Sequence, residues 1–182
     1  MKKDLKSVYR FGIVSASLPI IFLVIVYTIK DYLLIDYIHV LSAAFWLGCN
    51  LFMGFIFYRI IKDLDNREKV DITVRLLPLT LFFLPSITLT TVIAGYILAF
   101  YVKLFSYSMW VYLPIIIIST ILLLLSFVYY IGNSISIIKI LKGKSNVNRI
   151  ISLSMINFKV AFVQLIFQVI IIGFMAYVVI IL

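Results

Sequence analysis

The chain has 182 residues, 65% of them hydrophobic and 13% charged, with a formal net charge of +9. Soluble domains are roughly half apolar and a quarter charged, so a water-soluble fold is excluded and an all-α integral membrane protein is expected. The basic residues flank the ends of apolar runs instead of lining one soluble face, which argues against a nucleic-acid partner and makes the lipid bilayer the first one.

The first apolar run, 11–29, follows Lys2, Lys3, Lys6 and Arg10. It is longer than the roughly 7–15 residues of a signal-peptide core, and no small-x-small cleavage site precedes Lys30, so it is read as a retained span with Pro19 tolerated inside it. The second span, 33–61, holds the only His, His39, and the only Cys, Cys49. One Cys permits no intrachain disulfide, and Cys49 reads as a packed apolar thiol. At ~100° per residue, His39, Ala43, Trp46, Asn50, Met53 and Phe57 fall on one face of this helix. Ala44 and Gly48 form a small-xxx-small step, which predicts close approach of a neighbouring helix. Asp31 and Asp36 read as helix-start residues favourable to the helix dipole.

Residues 63–74, DLDNREKVDITV, read as a polar connection to a third span at 77–101, with Pro78 near its start and Pro85 inside. The hydroxyls of Ser86, Thr88, Thr90 and Thr91 are expected to satisfy carbonyls freed by Pro85, and Gly95 with Ala99 repeats the small-residue spacing. The fourth span, 107–130, opens with Tyr107, Trp110 and Tyr112 at interface depth and is expected to continue as helix to about residue 140, where LKGKSNVNR ends it. In the fifth span, 158–182, Asn157, Ala161, Gln164, Gln168, Ile171 and Met175 make a heptad-like stripe whose polar members should face protein. There is no soluble linker and no internal repeat, so the chain reads as one transmembrane domain.

Basic residues concentrate before span one, between spans two and three, and between spans four and five, where Lys139, Lys142, Lys144 and Arg149 lie. The opposite side has only Lys30 and Lys103. The positive-inside rule therefore predicts a multi-pass protein of the cytoplasmic membrane with its N-terminus in the cytoplasm and its C-terminus outside. In that orientation His39 lies roughly 10 Å below the outer interface, at a depth shared by Gly95, Tyr96, Tyr112, Pro114 and Met175. A His inside a span usually faces a cavity or partner, which makes His39 a candidate haem ligand, copper ligand or proton-transfer group; a hydrogen bond to Asp36 or a nearby hydroxyl is the structural alternative. Met175 is a candidate second axial ligand of a His/Met haem. Copper shared by His39 and Met53 is disfavoured, because the helical rise sets them about 21 Å apart. Tyr32, Tyr37, Tyr107, Trp110 and Tyr112 read as an aromatic belt.

The stretch YIHVLSAAFWLGCNLFMGFIFYRI, through His39, Trp46, Gly48 and Arg59, resembles the His-bearing helix of the copper-resistance D type membrane proteins and of the HemJ-type protoporphyrinogen oxidases. The resemblance spans about 25 residues and, more weakly, the helix of Pro85 and Gly95. It implies a four-helix unit made of spans two to five with the first span added, and haem association through His39. The chain departs from those families in having no second His and no matching Lys ligand. Protoporphyrinogen oxidase activity is therefore not expected.

Three functions follow. The first is a haem-associated redox or electron-transfer component of a membrane complex, with haem b on His39, Trp46 and Asn50 shaping the pocket and Met175 nearby. The second is a non-catalytic anchor subunit, partnered by other membrane subunits or by copies of itself. The third is a small transporter or copper-import component. No catalytic residue and no reaction is assigned from these residues.

Overall fold

In hydrocarbon every backbone N–H and C=O must find its partner within the chain, and the sequence meets this requirement with helices. The computed structural model describes residues 2–106, 109–143 and 146–181. Among them five helices are long and apolar enough to cross a membrane. They are α1 (Lys2–Ile29), α2 (Tyr32–Lys62), α3 (Asn66–Tyr101), α4 (109–142) and α5 (Val147–Ile181). The predicted positions of Tyr107, Lys144 and Leu182 lie outside the described residues.

Caps, more than hydropathy, set the helix ends. α3 begins eleven residues before the apolar run because Asp65 and Glu68 form a capping box: Asp65 Oδ1 accepts from Glu68 N at 2.8 Å, and Glu68 Oε2 accepts from Asp65 N at 3.2 Å. Most of the predicted polar connection is therefore helix. α5 likewise starts at Val147 and not at 158, after Asn146, whose Oδ1 accepts from Arg149 N at 3.1 Å. Its added turns bury Ile150 against Leu77 and Ile137. Between α1 and α2 the chain reverses at Lys30, at φ 57°, and Asp31 caps α2 by accepting from Leu33 N at 2.8 Å.

Three of these helices widen into π turns: Phe52–Phe57 in α2, Leu79–Phe83 in α3 and Ser126–Ile131 in α4. The α3 turn precedes Pro85, and such a turn accommodates a residue that cannot continue the regular hydrogen-bond ladder. Hydroxyls near Pro85 bond other carbonyls: Ser86 donates to Phe83 O at 2.9 Å, Thr88 to Leu84 O at 2.7 Å and Thr91 to Ile87 O at 2.8 Å. Thr90 Oγ1, expected to join them, is buried without a partner.

The bundle sets buried polar groups among an apolar core and turns apolar side chains outward. Asn50, Thr88, Ser126, Ser134 and Gln164 are fully buried, whereas Phe11, Leu33, Phe100 and Trp110 stand exposed, as lipid-facing side chains do. Interhelical polar pairs extend along the interior, with Thr80 Oγ1 2.9 Å from Ser134 Oγ, Asn133 Nδ2 donating to Asn157 Oδ1 at 2.8 Å, and Thr73 Oγ1 donating to Ser154 Oγ at 2.9 Å. α2 packs most extensively on α3, and α1 lies against α3 and α2 at the edge.

Close helix approach occurs at a different glycine from the one expected. Gly48 has open space where a Cβ would stand, and with Ala44 it lines a surface groove. Gly54 instead lies against the backbone of Ala161 and Phe162 on α5, so closely that a methyl group there would collide with main-chain atoms that cannot rotate aside. Gly54→Ala is therefore expected to destabilise the protein by about 1–3 kcal/mol, as overpacking does, while Gly48→Ala is expected to be neutral. Thermal unfolding of both variants in the same detergent measures the difference.

Candidate functional site

A cavity of about 60 Å³ lies at the centre of the four-helix unit formed by α2 to α5. α2 contributes His39 and Trp46, α3 contributes Thr91 and Gly95, and α5 contributes Gln168 and Met175. Three of the four residues singled out in the sequence, His39, Trp46 and Met175, thus border one space. Asn50 does not, and neither do Met53, Tyr112 and Pro114. Met53 borders a separate gap of about 10 Å³ with Thr73, Thr80, Ser154 and Asn157. Tyr112 packs edge-on to Phe105, with ring centroids 5.5 Å apart.

His39 reaches across to α3, where its Nδ1 lies 2.9 Å from the carbonyl oxygen of Thr91. A carbonyl only accepts, so Nδ1 carries the proton, and in a neutral imidazole Nε2 presents its lone pair. The contact depends on Gly95. In a helix the Thr91 carbonyl is covered by the residue four positions on, and at Gly95 there is no Cβ to exclude the ring; one built there would stand 2.8 Å from His39 Cε1. Ser42, one turn along α2, adds to the junction: its Oγ donates to His39 O at 3.1 Å and accepts at 2.9 Å from Thr91 Oγ1, which shares its proton between Ser42 and Ile87 O. The partner of His39 is therefore neither Asp36 nor a hydroxyl but a main-chain carbonyl 52 residues away.

Asn50 belongs to a buried polar hub below the cavity. Its Nδ2 donates to Gln164 Oε1 and to Gln168 Oε1, both at 3.1 Å, and its Oδ1 accepts from Tyr130 OH at 3.1 Å. Gln164 Nε2 donates to Ser126 Oγ at 2.9 Å and to Leu122 O at 3.2 Å. Because Thr88 donates its hydroxyl proton to Leu84 O, Ser126 donates across the 3.1 Å gap to Thr88. The hub thereby joins α2, α4, α5 and α3 with every valence of Asn50 and Gln164 engaged. Tyr130 and Ser126 were not anticipated as members. Their signal is visible in retrospect, as two polar groups four residues apart in an otherwise apolar run.

Gln168 connects hub to cavity, giving its carbonyl to Asn50 while bordering the space above. Trp46 is 4% exposed, and its indole N–H has no acceptor. The site therefore combines the free imidazole nitrogen of His39, an unengaged indole N–H and the Met175 thioether. Among the described residues no group of three or more His, Cys, Asp or Glu side chains could hold a metal ion.

The donor chemistry suits an iron ligand, since a backbone carbonyl on Nδ1–H is the usual support for a His that ligates through Nε2. The space does not suit haem. Sites for drug-sized ligands occupy roughly 300–1,000 Å³, and a macrocycle does not fit a cavity of about 60 Å³. Comparison with protein-family models, with curated proteins and with solved structures finds no match to this chain.

Two substitutions test this geometry. Gly95→Ala is expected to cost about 1–3 kcal/mol by displacing the imidazole, and to cost little in a His39→Ala background; a double-mutant cycle of unfolding free energies reads the coupling. Asn50→Ala removes three interhelical hydrogen bonds worth roughly 0.6 kcal/mol each in membranes and is expected to destabilise by about 2 kcal/mol, measured by reversible unfolding in mixed micelles.

Proposed function

We propose that this multi-pass helical membrane protein is a metal-associated redox or metal-handling component whose ligand is His39 Nε2, and that the group it accepts is a single soft ion, copper(I) by donor type. One observation carries the reading: His39 and Met175, from helices far apart in sequence, border the same small cavity. Imidazole and thioether are donors that favour copper(I), which accepts low coordination numbers, whereas harder divalent ions need more ligands, and charged ones. The earlier objection to copper concerned Met53, four turns away on the same helix; Met175 approaches from another helix and removes it. The resemblance of the His39–Arg59 stretch to copper-resistance D type proteins points the same way.

In this reading His39 and Met175 hold the ion, which when bound supplies one-electron chemistry or is itself the cargo. Thr91 and Gly95 keep Nδ1 protonated and Nε2 free, and the apolar walls exclude bulk water. The basic ends of the helices face the cytoplasm by the positive-inside rule, which sets the site in the outer half of the membrane.

Purified protein, loaded with copper(I) under reducing conditions and passed through a desalting column, is expected to retain stoichiometric copper by mass spectrometry. His39→Ala and Met175→Leu are each expected to reduce it to background. A Soret band that disappears in His39→Ala overturns the copper assignment in favour of haem. A colourless protein that retains no copper and copurifies with other subunits overturns the metal reading as a whole and leaves an anchor role.

A further inference from the structure

A second and much larger cavity, of about 660 Å³, opens at the other level of the molecule, between the start of α1, the first turns of α3 and the end of α4. Its lining is mixed, the apolar part formed by Val8 and Phe11 of α1, Val74 and Leu79 of α3 and Leu141 of α4. Ser7, Asp71 and Arg75 form the polar part. The floor is closed by a packed cluster that includes Leu77, Ile137 and Ile150. A cleft that sets apolar side chains beside a guanidinium is matched to an amphipathic molecule, and its position at the end of a membrane bundle makes a lipid the natural one.

Charge selects the kind of lipid. Because successive helices alternate in direction, Lys6, Arg10, Arg67, Lys69, Arg75, Lys139 and Lys142 gather at this end. At the opposite end Lys30 and Lys103 are balanced by Asp31 and Asp36, so among the described residues the excess of positive charge belongs to the end that holds the cleft. Within the lining Asp71 offsets Arg75, and Asp65 and Glu68 stand at the start of the same helix, so the selection rests on the excess of cations over this whole end. Basic pockets between transmembrane helices on the cytoplasmic side recognise anionic headgroups, each basic residue adding about 1 kcal/mol near an anionic surface. The long stem of Arg75 can follow the apolar wall and bring its head to headgroup level.

We propose that this cleft is a binding site for one anionic phospholipid, with an acyl chain between α1 and α3 and its phosphate on Arg75. The lipid fills the seam where α1 meets the four-helix unit and so helps fix the added helix to the rest.

Native mass spectrometry of the full chain in a non-ionic detergent, titrated with phosphatidylglycerol or with phosphatidylcholine of the same chain length, tests it. Phosphatidylglycerol is expected to be retained in preference to phosphatidylcholine. Arg75→Gln is expected to lower that retention about fivefold, the effect of one basic residue near an anionic surface, while Arg75→Lys keeps most of it and Lys103→Gln, at the opposite end of the bundle, leaves it unchanged. Equal retention of the two lipids, an unchanged adduct in Arg75→Gln, equal losses in Arg75→Lys and Arg75→Gln, or displacement of the lipid by inorganic phosphate alone overturns the proposal.

Discussion

The structure depends on the way Asn50 is satisfied. A primary amide in a dry helical interior costs several kcal/mol if left unpaired, and no water is there to compete for it. Asn50 is fully buried, and both of its amide hydrogens and its carbonyl are engaged, by Gln164 and Gln168 of α5 and by Tyr130 of α4. Sliding or rotating any one of these helices breaks bonds that nothing else can replace. Lipid tails and leucine side chains are equally apolar, so hydrophobicity does little to choose one helix register over another in this setting. The amide network does, and the cavity above it inherits that register through Gln168.

The π turns bear on the same arrangement. The α2 turn follows Asn50 almost at once, and the α4 turn contains both Ser126 and Tyr130. A wider turn changes the direction of the side chains beyond it, so the residues after Asn50 need not stay on the face that a regular helix would give them. Met53 still points inward, but so does its neighbour Gly54, and it is Gly54 that makes the backbone contact with α5. One irregular turn thus separates the part of α2 that carries polar chemistry from the part that serves as a close-packed seam.

Much of the bundle was legible in the residues, and the parts that were not have physical reasons. Five apolar runs announced five spans because lipid imposes a composition. The inward face through His39, Trp46 and Asn50 and the α5 stripe through Gln164 and Gln168 followed from period alone. The helix ends did not, because Asp65, Glu68 and Asn146 extend helices into water-facing sequence that hydropathy leaves out. Ala44 and Gly48 misled because small residues permit close approach without requiring it. The Thr91 carbonyl could not have been named as the partner of His39, since a backbone group carries no sequence signature; only Gly95, which uncovers it, leaves a trace.

The hydrogen bond that holds His39 leaves its ligand open, and the available volume is the more discriminating. An imidazole held through Nδ1 by a carbonyl is equally prepared to ligate iron in a macrocycle, to ligate a bare ion or to accept a proton, so the hydrogen bond to Thr91 cannot choose among them. A cavity of about 60 Å³ bears only on the macrocycle, which it is too small for, and one of its lining residues, Gln168, is tied to the hub. Enlargement on the side of Gln168 would disturb the amide of Asn50 and the junction of α2 with α5. An ion asks for no such rearrangement. The same hub that gives the bundle its register therefore limits what the site above it can hold.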